Sequence, residues 1–210
     1  MIERRETVKS ARALRYVLLC VMMALLLFLC CCREEGFDGF IYKSLALSRG
    51  SEIVVLGFEE GCDAAGTVRI PSEHTGLAVT MIGSDAFREC HLEAVVMEKI
   101  REIGPGAFCG CLHLTWVDLG TAERISERAF SDCISLKTVY IPSTVSYLGH
   151  SAFCGCFDLE TVFFEGSPEY IAEHVFDETV TLRGQEGSAV EEYAKLHGLV
   201  FEAWRPGDAD

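Results

Sequence analysis

From residue 82 onward, apolar residues recur along the chain in blocks that align on a phenylalanine. Four blocks read IGSDAFREC, IGPGAFCGC, ISERAFSDC and LGHSAFCGC, and a degenerate fifth reads IAEHVFDET. Their phenylalanines are Phe87, Phe108, Phe130, Phe153 and Phe176, separated by 21, 22, 23 and 23 positions. A fixed period of this length is the sequence signature of a repeat array.

Each block continues with the pattern Leu-x-x-Val-x-apolar, as at Leu136, Val139 and Ile141. Apolar residues two positions apart, with β-branched neighbours, predict a short strand. Pro142 then marks a turn. A single unit of this size cannot bury its own apolar face, whereas stacked units share one continuous core. The pattern therefore predicts a solenoid.

This repeat resembles the BspA-type leucine-rich repeats of bacterial surface proteins, whose motif runs close to IGxxAFxxCxxLxxVxIPxxVxx. Residues 125–147, ISERAFSDCISLKTVYIPSTVSY, follow that motif almost letter for letter. Residues 51–83 look like the family's leading segment, and residues 187–201 look like its closing helix and strand. The resemblance implies an α+β, mainly β solenoid, in which a leucine-rich repeat array of about five 21–23-residue units lies between two caps.

On this interpretation the chain divides into four segments. Residues 1–32 are a targeting or anchoring segment, residues 33–81 cap the array at its N-terminal end, residues 82–184 hold the repeats, and residues 185–210 form the C-terminal cap. Within that last segment a capping-box pattern, Ser-Ala-Val-Glu, predicts a helix that ends at Gly198. This helix is expected to cover the last open strand edge of the array.

The resemblance also implies a buried structural ladder of phenylalanine and cysteine side chains. Cys109 and Cys154 fall at a variable position of the repeat, so we expect them to lie near solvent. Stacked strands lie about 4.8 Å apart, which separates copies two units apart by about 10 Å. That distance exceeds the ~7 Å limit for a disulfide and is too long for one shared zinc ion. We therefore predict unpaired thiols and no metal site, with a ladder formed by Phe87, Cys90, Phe108, Cys111, Phe130, Cys133, Phe153 and Cys156.

The charge balance argues against a nucleic-acid partner, because 18 Lys and Arg residues stand against 32 Asp and Glu residues. The N-terminus is the exception, since Arg4, Arg5, Lys9, Arg12 and Arg15 precede an uncharged run of 17 residues, YVLLCVMMALLLFLCCC. A run of this length lies between a signal-peptide core and a minimal membrane span. The N-terminal pattern predicts export to the cell envelope.

The apolar run ends in Cys30, Cys31 and Cys32, and there it resembles a bacterial lipoprotein signal, in which a cysteine after a short apolar box is acylated. This resemblance implies lipid attachment at Cys32, or else at Cys30. Two alternatives stay open, namely an uncleaved N-terminal anchor and an ordinary signal peptide that is rich in cysteine. We expect a protein of the cell envelope, periplasmic or surface-exposed, held at the membrane by a lipid or by the apolar run.

The chemical motifs of common enzymes are not found in the sequence. The six histidines do not stand at metal-ligand spacing from one another. The stretch from Gly149 to Phe153, GHSAF, has phenylalanine where a nucleophile elbow has glycine. We therefore expect neither enzyme activity nor a cofactor.

Outward positions of the predicted strands carry three large aromatic residues, Trp116, Tyr140 and Phe163, together with Asp118. Exposed, clustered aromatics on a rigid platform are typical of protein-binding surfaces. The family resemblance implies adhesion to host matrix proteins or to cell-surface proteins. Two alternatives remain: the caps or a second molecule cover these residues, or the chain is an envelope scaffold that self-associates and binds no foreign ligand.

Overall fold

The computed structural model describes residues 39–47, 50–59 and 65–208. From Phe40 onward the described residues belong to one compact unit. Cys30 and Cys32, with the apolar run that precedes them, lie outside the described residues. The described part holds one helix, α1 Ala189–His197, and the strands β1 Phe40–Leu47, β2 Gly50–Phe58, β3 Gly66–Ile70, β4 Glu73–His74, β5 Leu77–Ile82, β6 Leu92–Met97, β7 Glu102–Ile103, β8 Trp116–Asp118, β9 Arg124–Ile125, β10 Thr138–Ile141, β11 Tyr147–Leu148, β12 Thr161–Phe164, β13 Tyr170–Ile171, β14 Thr181–Gly184 and β15 Val200–Ala203.

The strands form parallel ladders in which each repeat adds one strand to each of two walls. The first wall runs in the order β2-β5-β7-β9-β11-β13, with β1 antiparallel to β2 at one end and β4 on β5. The second wall consists of a three-stranded sheet, β3-β6-β8, and a four-stranded sheet, β10-β12-β14-β15. This architecture confirms the predicted solenoid of leucine-rich repeats.

One turn of the solenoid lies ahead of the five units recognised in the sequence. Strand β3 pairs in parallel with β6, and β5 pairs in parallel with β7, so residues 66–82 extend both walls by one strand. Residues 66–81 were predicted to belong to the N-terminal cap. They form a turn because TVRIP, residues 67–71, has the same apolar alternation and following proline as TVYIP, residues 138–142, in the third repeat.

One carboxylate strengthens the junction between the N-terminal hairpin and the repeats, where β2 also pairs in parallel with β5. Glu52 on β2 accepts a hydrogen bond of 2.6 Å from the Thr80 hydroxyl and is paired with Arg101. These contacts, the Thr80 hydrogen bond foremost, hold the pKa of Glu52 below its ordinary value. The charged carboxylate therefore joins the hairpin to two successive turns of the solenoid.

The phenylalanine column forms the centre of the core. The rings of Phe87, Phe108, Phe130 and Phe153 are inaccessible to solvent and stack at centroid distances of 5.2, 5.1 and 5.2 Å. Phe176 continues the stack at 5.6 Å from Phe153. Because each ring is covered by the rings of the neighbouring units, the stacked units bury apolar surface that a single unit would leave exposed.

The pentapeptide AFCGC, which occurs twice, is explained by backbone geometry. Every unit makes a tight turn around its phenylalanine, which follows alanine in the first four units and Val175 in the fifth. A left-handed residue lies two positions before each phenylalanine, and another lies two positions after it in the first four units. Gly110 and Gly155 occupy the second position, with φ angles of 75° and 79°. Glycine adopts this region without steric cost. The same position is held by Glu89 and Asp132 in the other two units, at φ angles of 57° and 61°.

The cysteines three residues after Phe108, Phe130 and Phe153 are buried, and each contributes a hydrogen bond as well as volume. Cys90, the first predicted member of this ladder, is only half-buried, so the expectation of a buried side chain is wrong at that position. The thiol of Cys133 donates to the carbonyl oxygen of Phe108, in the preceding unit, at 3.2 Å. Equivalent bonds join Cys111 to Phe87 at 3.0 Å and Cys156 to Phe130 at 3.2 Å. A small apolar side chain with a weak donor suits this column, because it fills space while binding a buried carbonyl.

The C-terminal cap contains the predicted helix and, after it, one more strand. Ser188 caps the N-terminus of α1 through its side chain, and Gly198 ends the helix at a φ of 71°. Inside the cap, the Tyr193 hydroxyl accepts a hydrogen bond of 3.0 Å from the backbone N–H of Val175. Strand β15 then pairs in parallel with β14. The outer strand of this sheet is therefore β15, whereas α1 packs against β13, the last strand of the first wall, and against β14 and β15.

Candidate functional site

Two of the predicted recognition residues, Trp116 and Tyr140, are exposed on the second wall. Trp116 is 47% exposed and Tyr140 is 40% exposed. Their neighbours along the strand, Val117, Val139 and Ile141, point inward and are buried. Alternation along β8 and β10 thus turns the apolar residues into the core and the two aromatic rings outward.

Trp116 and Tyr140 lie on either side of the boundary between the two sheets of this wall. Strand β8, which carries Trp116, is the last strand of the three-stranded sheet. Strand β10, which carries Tyr140, is the first strand of the four-stranded sheet. The two exposed rings therefore flank the place where the regular ladder of the second wall is interrupted.

Phe163, the third predicted recognition residue, does not face solvent. It is 4% exposed, because its ring lies against Tyr140 at 4.7 Å and against Trp204 at 5.0 Å. The guanidinium of Arg183 lies 5.3 Å from the same ring. The prediction that Phe163 is exposed is wrong, since Trp204, in the segment that follows β15, folds over it. Phe163 instead stacks against the Tyr140 ring from the neighbouring strand β12.

Asp118 performs a local structural task. Its side chain is half-buried, and one carboxylate oxygen accepts a hydrogen bond of 3.0 Å from the backbone N–H of Gly120. An aspartate that binds the backbone two residues on stabilises a tight turn. Asp118 therefore fixes the end of β8 and, with it, the position of Trp116.

A second group of exposed apolar residues was missed by the sequence analysis. Leu112, Ile134 and Phe157 are 49%, 37% and 77% exposed, and they follow the ladder cysteine in three consecutive units. We call these three residues the apolar ridge. The signal that could have revealed it is an apolar residue directly after each of Cys111, Cys133 and Cys156, in a turn to which strand alternation does not apply.

Cys109 and Cys154, at the variable position of the repeat, were both expected near solvent, and the structure differs from this at Cys109. Cys109 is 3% exposed and its sulfur lies 3.9 Å from a carboxylate oxygen of Asp132, so the expectation that it lies near solvent is wrong. The side chain is buried because the following turn covers it. Cys154 is half-buried, and its sulfur lies 3.6 Å from a carboxylate oxygen of Asp177. Burial first, and then Asp177, raise the pKa of Cys154.

Three buried thiols of the ladder, Cys111, Cys133 and Cys156, are chemically quiet. Burial raises the pKa of Cys111 and of Cys156 to about 12 and raises that of Cys133 as well. A thiol with so high a pKa stays protonated near neutral pH and is a poor nucleophile. Among the cysteines of the described part, five that carry free thiols are Cys109, Cys111, Cys133, Cys154 and Cys156.

The described residues include histidine, cysteine and carboxylate side chains, the groups that hold metals or act in catalysis. No cluster of three or more His, Cys, Asp or Glu side chains is arranged there to hold a metal ion. His150 and Ser151 are in contact, with 2.9 Å between the ring nitrogen Nδ1 and Oγ. Ser151 lies on a repeat turn at a φ of 55°, away from any strand-to-helix junction. Within residues 39–208, where described, no helix is long and apolar enough to cross a membrane.

Comparison with known proteins agrees with this geometry. The sequence model described as "BspA type Leucine rich repeat region" matches residues 61–188 in six copies. A leucine-rich repeat protein from T. pallidum is 19% identical with a TM-score of 0.52, over 81% of this chain and 98% of that one. One from Bacteroides capillosus is 27% identical with a TM-score of 0.50, over 61% of this chain and 100% of that one.

A third solved structure is larger than this chain. It is a leucine-rich cell surface protein from Faecalibacterium prausnitzii, 24% identical with a TM-score of 0.52 over 81% of this chain. The match spans 39% of that protein. None of the curated proteins compared with this chain matches it.

Proposed function

The chain belongs to the BspA-type leucine-rich repeat family, and from that premise we propose that it is an exported, membrane-anchored protein-binding module whose recognition surface contains Trp116 and Tyr140. Leucine-rich repeat proteins generally bind other proteins and are typically not enzymes. The ligand we propose is a protein of the host matrix or of a cell surface. The envelope location rests on the family and on the basic, then apolar, N-terminus.

The observation that carries this proposal is the pair of exposed aromatic rings on the second wall, of which the Tyr140 ring is held by its neighbours. Tyr140 stacks on Phe163 with an interplanar angle of 7°, and Phe163 is in turn held by Trp204. Trp116 precedes a turn that Asp118 closes. Aromatic side chains that are already ordered lose little conformational freedom on binding, and such residues are the usual anchors of protein interfaces.

A self-associating envelope scaffold is the alternative that the sequence analysis left open. Sedimentation of purified residues 33–210, which lack the apolar run, at about micromolar concentration, with capture on immobilised matrix proteins, separates the two functions. We expect a monomer that one or more matrix proteins capture. A chain that forms oligomers at this concentration and is captured by no matrix protein would be the scaffold.

Alanine substitution of either exposed ring tests the surface itself. We expect Trp116→Ala or Tyr140→Ala to weaken binding of the captured matrix protein by about 2 kcal/mol or more, because central aromatic anchors commonly contribute that much. The melting temperature should change little for Trp116→Ala, whose side chain is 47% exposed, whereas Tyr140→Ala should lower it modestly because the Tyr140 ring covers Phe163. Titration of each variant, with thermal unfolding in parallel, measures the two quantities.

Two further variants serve as controls for this titration. Lys137 is exposed beside the same strand, and Lys137→Ala should alter binding weakly, mainly through association at low salt. Phe163→Ala should lower the melting temperature, because that ring is buried. Unchanged affinity in both the Trp116 and the Tyr140 variants would rule out this surface.

A further inference from the structure

The apolar ridge is a regular feature of three adjoining turns. In each unit the ridge residue is preceded by a buried cysteine and followed, two positions later, by a buried leucine. Side-chain and backbone hydrogen bonds also link these turns to one another. The Ser135 hydroxyl donates to the Leu112 carbonyl oxygen at 2.7 Å, and the Asp158 N–H donates to the Ile134 carbonyl oxygen at 3.2 Å. The ridge is therefore fixed in place on a rigid support.

Its exposure has no structural explanation within the fold. Phe157 is 77% exposed, whereas the core phenylalanines of the same repeats are inaccessible to solvent. Single apolar residues at a surface are ordinary, but a contiguous apolar row marks an interaction site. The row is formed by Leu112, Ile134 and Phe157, one from each of three stacked units.

The spacing of the ridge matches one kind of partner. Equivalent rings in consecutive units lie 5.1–5.2 Å apart, so the ridge presents one apolar side chain about every 5 Å along the stack. An α-helix has a pitch of about 5.4 Å and can place an apolar side chain on one face at each turn. A helix parallel to the stack would interdigitate with all three ridge residues.

The charged residues beside the ridge indicate the sign of the charge that the partner helix carries. Asp158 directly follows Phe157, and Glu160 and Glu93 are exposed at another outward position of the repeat. Lys137 is the basic residue at that same position. The chain as a whole carries a formal net charge of −14. A partner helix with lysine or arginine beside its apolar face would complement this surface.

We propose that the apolar ridge binds a basic, amphipathic helix of a partner protein, with the helix axis along the stack of repeats. Helix recognition of this kind depends on apolar side chains at successive turns of one face. The inference concerns a surface other than that of Trp116 and Tyr140 and does not depend on it.

A defined peptide tests the proposal with the intact chain. The probe is a labelled peptide of about 18 residues with leucine along one helical face and lysine elsewhere. We expect saturable binding by fluorescence anisotropy in about 0.15 M NaCl. Phe157→Ser should weaken that binding at least about tenfold, since it removes the most exposed member of the ridge. Ile134→Ser should weaken it in the same direction.

Matched controls separate ridge recognition from other causes of binding. Leu196 on α1 is 80% exposed but lies off the ridge, so Leu196→Ser should change the affinity by less than about twofold. A peptide of the same composition with its leucines scrambled around the helix should bind at least about tenfold more weakly. Equal binding of the two peptides, or equal loss in the Phe157 and Leu196 variants, would overturn the proposal. Self-association of the chain that Phe157→Ser abolishes, without peptide binding, would assign the ridge to a second copy and overturn it too.

Discussion

Replacing Phe130 by alanine is expected to lower the free energy of unfolding by about 3–5 kcal/mol. Phe130 is inaccessible to solvent, and its ring is stacked on Phe108 at 5.1 Å and on Phe153 at 5.2 Å. Truncation to alanine removes the buried apolar surface of the ring and leaves a cavity lined by both neighbouring units. Because each repeat depends on its neighbours for burial, the loss is felt beyond the unit that carries the substitution.

The matched control is another phenylalanine of the same array. Phe157 is 77% exposed, so Phe157→Ala should change stability by less than about 0.5 kcal/mol. The measurement is urea unfolding of both variants and of the parent chain, with free energies of unfolding compared at a common m-value. Similar losses at the two positions would contradict the stacked core.

A backbone position in the second unit is expected to be nearly as sensitive. Gly120 has a φ of 51°, and a Cβ atom there would collide with the carbonyl oxygen of Met97 in the preceding unit. Gly120→Ala should therefore lower the free energy of unfolding by about 2–5 kcal/mol, from left-handed strain and from the forced movement of a packed turn. The family motif has proline at this position of the repeat, whereas Gly120 donates its backbone N–H to Asp118 and closes a turn.

Gly187 isolates the part of this effect that comes from φ alone. It has a φ of 74°, and no atom lies within 4 Å of a Cβ built on it. Gly187→Ala should cost only about 1–2 kcal/mol. Chemical unfolding of the two variants compares them directly. If Gly120→Ala cost no more than Gly187→Ala, the close approach of the first two units at this turn would be disproved.

The sequence predicts the solenoid because its signal is repeated and local. The units share an inward phenylalanine and an apolar strand pattern, so several copies of the repeat support the same alignment of Phe108 and Phe130. Strand alternation likewise predicts that Trp116 and Tyr140 point outward, and the structure places both at the surface.

The missed features depend on contacts that no single repeat encodes. Phe163 is buried by Trp204, a residue beyond the last repeat, whose position is set by the path of β15. Cys109 is covered by the next turn, close to Asp132. The apolar ridge lies in turns whose direction follows from left-handed residues such as Gly110, not from a strand or helix period. Such features require the three-dimensional path of the chain.

The central claim is that Trp116 and Tyr140 contact a protein ligand on the second wall of the array. Hydroxyl-radical footprinting of the chain, alone and bound to the matrix protein that captures it, measures this contact without any substitution. We predict that oxidation of Trp116 and Tyr140 decreases in the complex. Tyr170, which is 53% exposed on β13 of the first wall, is the internal control and should be oxidised equally in both states. Protection of Tyr170 with unchanged oxidation of Trp116 and Tyr140 would contradict the claim.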